Sequence, residues 1–268
     1  MISQVSGNRG SYRNYKNLEV VVINKCLVVY LDRPERLNAI NNGMREELIE
    51  CLIGAENDAS VTGIVITGKG DRAFSSGADL HEVMARTVGS ELDRGADIRR
   101  DVPRVIETLA KPTIAAINGV CLGGGLEIAL ACTVRIADSS AVFGFPEINY
   151  GLIPGSGGSQ RLPRVVGLGW AMQIVTSGAR IGAIKAEQIG LVTEVVASED
   201  LLARGIELAS SLGQKGSIAF SAARDAVLSS FEIGLDLGIN LERRLLALCI
   251  STSGELVVSK ILKILEKT

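Results

Sequence analysis

Two carboxylates stand where their surroundings would change their proton affinity. Glu127 lies in "CLGGGLEIALAC", Cys121–Cys132, among Leu126, Ile128, Ala129 and Leu130. In a helix, Leu130 and Ala131 would share its face, so that face is expected to be buried. Glu147 is the only acid between Asp138 and Glu187, and its neighbours are Phe, Pro and Ile. Burial raises a carboxyl pKa toward the range useful for proton transfer. Two such groups around one reacting centre would form an acid–base pair. Each also has a plainer reading. Glu127 could complement a helix dipole, worth about 0.3–1 kcal/mol, and Glu147 could be an ordinary loop carboxylate.

Glycines accompany both acids. Gly123, Gly124 and Gly125 sit at the expected helix start. There they either allow close backbone packing or let a ligand oxygen reach free N–H groups at the positive end of the helix. "FSSGADL", Phe74–Leu80, is read as a strand-to-helix loop around Gly77. Either its backbone N–H groups face an anion, or it is a turn in which Asp79 opens a helix. Other chemistries are excluded. His81 is the single histidine, and no G-x-S-x-G elbow accompanies it. That histidine cannot make a His-rich metal site, and the five cysteines have no C-x-x-C pair. "GIVITGKG", Gly63–Gly70, lacks the final Ser or Thr of a phosphate loop and reads as a buried strand. "GSGGSQ" at Gly155 is not a dinucleotide fingerprint.

Elements must hold these groups in place. "LEVVVI" and "CLVVYL" flank "NK" and predict a hairpin. Met44, Leu48, Cys51 and Leu52 recur at helical spacing, with Asn41 or Asn42 as cap. "VTGIVITGKG" and "KPTIAAINGV" each read as one buried strand, "TVRIADSSAVFGFPE" as strand–turn–strand, and "LVTEVV" as a last strand. "GSQRLPRVVG" begins a helix. The stretch from Glu82 to Asp101 is charged and expected to be mobile or surface-facing. It would help shape the pocket. Beyond residue 198 the pattern is helical, over Ser217–Ser230, Phe231–Ile250 and Ser253–Lys267. The alternation predicts an α/β core at 18–197, a helical C-terminal region at 198–268 and a flexible leader at 1–17.

Composition limits the partners. The chain has 268 residues, 47% hydrophobic, with a formal net charge of −2. No basic stripe points to nucleic acid, which weighs against a non-catalytic RNA-binding protein. No uncharged run is long enough for a membrane span. The spaced cysteines read as buried free thiols in a reducing, cytoplasmic setting. The acid-free start, with Arg9, Arg13 and Lys16, leaves a mitochondrial transit peptide as the alternative.

In order and spacing, "AFSSGADL", "KPTIAAINGVCLGGGLEIALAC" and "FGFPEINYGLIPGSGGSQRLPR" closely resemble the enoyl-CoA hydratase/isomerase (crotonase) superfamily. The likeness runs from "LDRPERLNAI" to the helix near Gly190. It implies a spiral of repeated ββα units with a helical C-terminal region that assists trimer formation, the trimers often pairing into hexamers. It implies an acyl-CoA thioester substrate, so coenzyme A arrives as part of the substrate and no metal or nicotinamide is needed. By resemblance the thioester oxygen would meet the N–H groups of Ala78 and Gly124, next to Gly77 and Gly123. Glu127 would activate water, Gly155 would help hold it, and Glu147 would exchange the proton at C2. Arg36, Ser76, Asp79 and His81 fall where the family meets coenzyme A. The presence of both acids favours an enoyl-CoA hydratase, with an isomerase, a dehydratase or a decarboxylase of an acyl thioester as alternatives. Two departures stand out. Thr133 replaces the usual Asp after "ALAC", and the tail lacks the usual aromatic, so Lys260, Lys263 and Ile264 are the nearest candidates for nucleotide contacts.

Overall fold

The computed structural model describes residues 12–96 and 101–265, with side chains through 92 and from 101 to 252. Residues 1–11 of the expected leader, and the side chains of Lys260, Lys263 and Ile264, lie outside the described residues. Residues up to Leu212 form one compact unit, and those from Gly213 form a second.

The first unit begins with β1 (Leu18–Ile23) and β2 (Cys26–Leu31), an antiparallel hairpin. Its two turn residues, Asn24 and Lys25, both have positive φ, 50° and 64°, as a turn matching the strand twist requires. Then follow α1 (Asn42–Asn57), β3 (Gly63–Gly68), β4 (Ala73–Ser75), α2 (Leu80–Met84), α3 (Val88–Ala96) and α4 (Val102–Thr108). Next come β5 (Thr113–Ile117), β6 (Val120–Leu122), α5 (Gly124–Ala131), β7 (Val134–Asp138), β8 (Val142–Gly144) and α6 (Gly158–Ser177). The unit closes with β9 (Arg180–Gly182), α7 (Ala183–Gln188), β10 (Glu194–Val196) and α8 (Leu201–Gly213).

The strands sort into two sheets. One has the order β1-β2-β3-β5-β7-β10, parallel apart from the hairpin; the other is β4-β6-β8-β9. Each of the pairs β3–β4, β5–β6 and β7–β8 sends its first strand to the larger sheet and its second to the smaller, and a helix follows. This is the expected winding of ββα units, the crotonase fold. The central strands β3 and β5 are buried throughout, because both faces are covered. Leu27, Val29, Ile64, Ile66, Ala115 and Ile117 face the main core, while Val28, Val65, Ile114 and Ala116 face a smaller one. Ala209 of α8 belongs to that smaller core and packs so closely that a Cβ on Gly63 would lie 2.7 Å from its carbonyl oxygen. Helix α8 therefore belongs to the core unit, not to the C-terminal region assigned from 198.

Other expectations shift in detail. Residues 12–17, expected to be flexible, lie against α1: the N–H groups of Lys16 and Asn17 donate to Glu47 at 3.0 and 2.8 Å. Asn41 is the cap of α1, accepting from the Met44 N–H. "KPTIAAINGV" is two strands in different sheets, because the turn at Asn118–Gly119 redirects the chain. The first two residues of the loop "FSSGADL" belong to β4, and β9 was not anticipated. Within Glu82–Asp101, α2 and α3 are helical, and 97–100 lie outside the described residues. Thr133 and Thr113 bond reciprocally: each backbone N–H donates to the other's hydroxyl, at 3.2 and 3.0 Å. This supplies the polar contact at the position of the missing Asp. In the second unit α9 (Ser217–Ser229) packs against α10 (Leu235–Leu265), one helix where two were expected.

Candidate active site

The site is assembled where β6 ends and α5 begins. Gly123 has φ 49° and ψ −124°, and a Cβ there would lie 2.7 Å from Glu147 Oε1. Only glycine takes this conformation comfortably and leaves room for the carboxylate. Gly124 is the first residue of α5, so its N–H has no partner within the helix.

A second N–H approaches from the β4–α2 loop. Ile40 pairs with Ala78 in an isolated parallel bridge, its N–H donating to Gly77 at 2.8 Å and its carbonyl accepting from Asp79 at 3.0 Å. Those bonds use the residues flanking Ala78 and leave Ala78's own N–H outside the bridge. Gly77 has φ 100°, and a Cβ there would sit 2.9 Å from the Leu122 carbonyl and 3.3 Å from the Gly124 nitrogen. The two loops thus touch through bare backbone, with Ala78 and Gly124 on one cavity wall.

Both acids open on that cavity, of about 750 Å³. Glu127 is 4% exposed, and its Oε1 accepts from the N–H groups of Ser156 at 2.7 Å and Gly158 at 2.9 Å. Burial raises its pKa above the usual carboxylate value; those two N–H groups and Arg161 oppose the rise, and Asp101 adds to it. Glu147 rides on the 3₁₀ turn Pro146–Tyr150. Its Oε2 is buried without a hydrogen-bond partner among the described residues. Burial, with the nearby Glu127 charge, pushes it up to about 7 against the opposing pull of its own N–H. Val83, Val88, Leu92, Val102, Ile128 and Ile153 give the cavity an apolar side. The arrangement can hold an oxygen that gains negative charge, with one proton acceptor and one donor nearby.

Ala78, Gly124, Glu127, Glu147 and Gly155 all line the cavity, and Gly77 and Gly123 adjoin its N–H pair. Arg36, Ser76, Asp79 and His81 do not line it. The Ser76 hydroxyl is 3.4 Å from the Arg36 carbonyl oxygen, which brings those two together. Asp79 is engaged elsewhere. Arg33 donates to it twice at 3.0 Å, and it caps α2 through the His81 N–H. Burial acts to raise its pKa, but the Arg33 hydrogen bonds and charge hold it below the usual range. The helix-opening reading of Asp79 describes what it does here. His81 is exposed on α2.

Sequence reasoning missed Arg33, the Ser156 and Gly158 N–H groups, and the pairing of Arg161 with Glu107. "GSGGSQR" carried a signal for the donors, since a glycine turn before a helix exposes several N–H groups. Arg33 and Glu107 had none, because their partners lie 46 and 54 residues away.

Comparison with known proteins agrees with this fold. The sequence pattern of the enoyl-CoA hydratase/isomerase family matches residues 23–256. A crotonyl-CoA hydratase of Syntrophomonas wolfei is 36% identical over 241 residues, 90% of this chain and 92% of that protein. The 2,3-dehydroadipyl-CoA hydratase of Escherichia coli is 40% identical over 228 residues, 85% of this chain and 88% of its own. Among solved structures, an enoyl-CoA hydratase from Bacillus anthracis superposes with a TM-score of 0.85 at 34% identity, covering 92% of this chain and 96% of that one. The chain belongs to the enoyl-CoA hydratase/isomerase family.

Proposed function

We propose that this enzyme adds water reversibly across the 2,3 double bond of a trans-2-enoyl-CoA, giving the 3-hydroxyacyl-CoA. The observation that carries the reading is the pair of carboxyls beside two backbone N–H groups on one apolar-sided cavity. On this reading the thioester oxygen accepts from Ala78 and Gly124. Ionised Glu127 takes a proton from water held near Gly155, and the water oxygen bonds to C3. Electrons of the double bond move onto the thioester oxygen as an enolate, which the N–H pair stabilises. Protonated Glu147 then gives its proton to C2. The active pair holds one proton in total, so dehydration runs from the same total protonation. Charge on oxygen is carried by backbone donors, so the reaction calls on no cofactor beyond the coenzyme A of its substrate.

Loss of the conjugated-thioester absorbance of a panel of enoyl-CoAs tests this. Wild type should consume at least one short, medium or branched substrate. Glu127→Ala and Glu147→Gln should each lose about 10³-fold in kcat, within the range for a removed general acid or base. Full activity in either variant contradicts the roles given. A shifted double bond or loss of CO₂ in place of hydration points to the isomerase or decarboxylase alternatives.

Two further features belong to this reading. We take the enzyme to be a homotrimer or a hexamer of paired trimers, supported by the apolar side chains it exposes, among them Ile153 at 71%, Leu168 at 70% and Leu235 at 79%. We place it in the cytoplasm, supported by free thiols at all five cysteines. No helix among the described residues is long and apolar enough to cross a membrane.

A further inference from the structure

Glu127 is held by a turn that is itself held from behind. Arg161, near the start of α6, gives each of its three nitrogens a separate task. Nε donates to Glu107 Oε1 at 2.5 Å, Nη2 to Glu107 Oε2 at 2.9 Å, and Nη1 to the Ser156 carbonyl at 2.7 Å. The pair is well covered, with side chains 16% and 18% exposed. Its guanidinium occupies the space where Gly157, at φ 92°, would otherwise carry a Cβ. The peptide between Ser156 and Gly157, whose oxygen Arg161 holds, lies between the two peptides whose N–H groups grip Glu127. Fixing that middle peptide fixes the link between the two donors, so releasing it lets both shift relative to the carboxylate.

We propose that Arg161 is a positioning residue: anchored on Glu107, it locks the Ser156–Gly158 turn in the conformation whose two N–H groups orient Glu127. The inference rests on Glu127 acting as the base in the hydration proposed above. A guanidinium suits this task because its planar fork grips one carboxylate through two nitrogens and still offers a third to a carbonyl, a geometry that a lysine ammonium does not reproduce. The charge has a second effect. Glu127 is the only charged residue of its own helix, and the groups acting on it from packed elements are Asp101 ahead of α4, Arg161 on α6 and Glu147 on its 3₁₀ turn. Glu107 acts through Arg161. Of these only Arg161 favours the ionised base, so its removal should make Glu127 harder to ionise.

The test is steady-state hydration of an enoyl-CoA by the full-length protein, with kcat and KM measured across pH. Arg161→Gln should lower kcat about 10²-fold, the scale of a small misplacement of a catalytic group. KM should stay within about threefold, and the acid limb of the kcat profile should move to higher pH. Arg161→Lys should leave the acid limb near its wild-type place yet remain about 10-fold slow. Glu107→Gln should lose about 10-fold in kcat and move the acid limb to lower pH, since the guanidinium is no longer neutralised. For Arg161→Gln, wild-type kcat, a rise in KM alone, or an equal loss at every pH with an unmoved acid limb overturns the proposal. Should Arg161→Gln fail to fold, an unchanged kcat and acid limb in Glu107→Gln overturn it equally. Glu127→Ala run in parallel separates the two levels. If that variant keeps its activity the hydratase reading fails; if it is inactive while Arg161→Gln behaves as wild type, only the present inference fails.

Discussion

At the scale of single residues, the two glutamates differ in how they are held. Glu127 accepts two backbone N–H groups, whereas Glu147 has a buried oxygen with no partner among the described residues. Such a group is most at ease protonated, which fits a proton donor better than a base. The rate of hydration should therefore be bell-shaped in pH. It should fall on the alkaline side as Glu147 ionises near its value of about 7, and on the acid side as Glu127 takes up a proton. Stability follows the same proton. The fold raises Glu147 from 4.5 to about 7, so its stabilising contribution is fully present below 4.5 and is lost as pH rises through about 7. Glu147→Gln keeps the neutral form. It should melt above wild type at about pH 8, by roughly 1–2 kcal/mol after allowance for partial exposure, and lose that advantage near pH 4. Thermal melts at the two pH values check this, and an equal melting temperature at the higher pH contradicts it. Both acids were legible in the sequence because each stood alone in an apolar stretch. Asp79 was less so: in "SGAD" it reads equally as a ligand contact or a cap, and only the fold brings Arg33 against it.

At the scale of elements, the site depends on two chain reversals meeting through glycine. Gly77→Ala would force a Cβ into the gap beside Gly124, on a backbone with φ 100°. It should cost about 10²–10³-fold in kcat, as loss of one oxyanion donor does, with helical content unchanged by circular dichroism. Activity within about twofold of wild type would show that the N–H pair is not needed. The long elements were legible. The hairpin had two β-branched runs around two turn residues, and α1 had a repeated apolar face that is buried as expected, at Met44, Leu48, Cys51 and Leu52. The strands that were missed, β4, β6 and β9, are each three residues long. That is too short for alternation to register, and what makes them strands is their pairing with distant partners. Of the smaller sheet, which carries the loops of the site, only β8 was therefore legible before the fold was known.

At the scale of the whole molecule, the ββα winding was recognisable through motif order, because each motif marks the end of one repeat. The reach of the core was not. Helix α8 looks like the other C-terminal helices in composition, and its place on the sheet depends on Gly63, Gly205 and Ala209 permitting close approach. For assembly, light scattering coupled to gel filtration should give three or six times the chain mass of 28.3 kDa; a monomer at micromolar concentration contradicts the oligomer. The account's central claim is that the two acids deliver the elements of water to C3 and C2. Its most direct test is turnover of an enoyl-CoA in deuterated water, with the product read by NMR and mass spectrometry. The account predicts a 3-hydroxyacyl-CoA with one solvent deuteron at C2, formed by wild type and about 10³-fold more slowly by Glu147→Gln. A displaced double bond, a cleaved thioester, or a hydrated product formed as fast by Glu147→Gln as by wild type would contradict it.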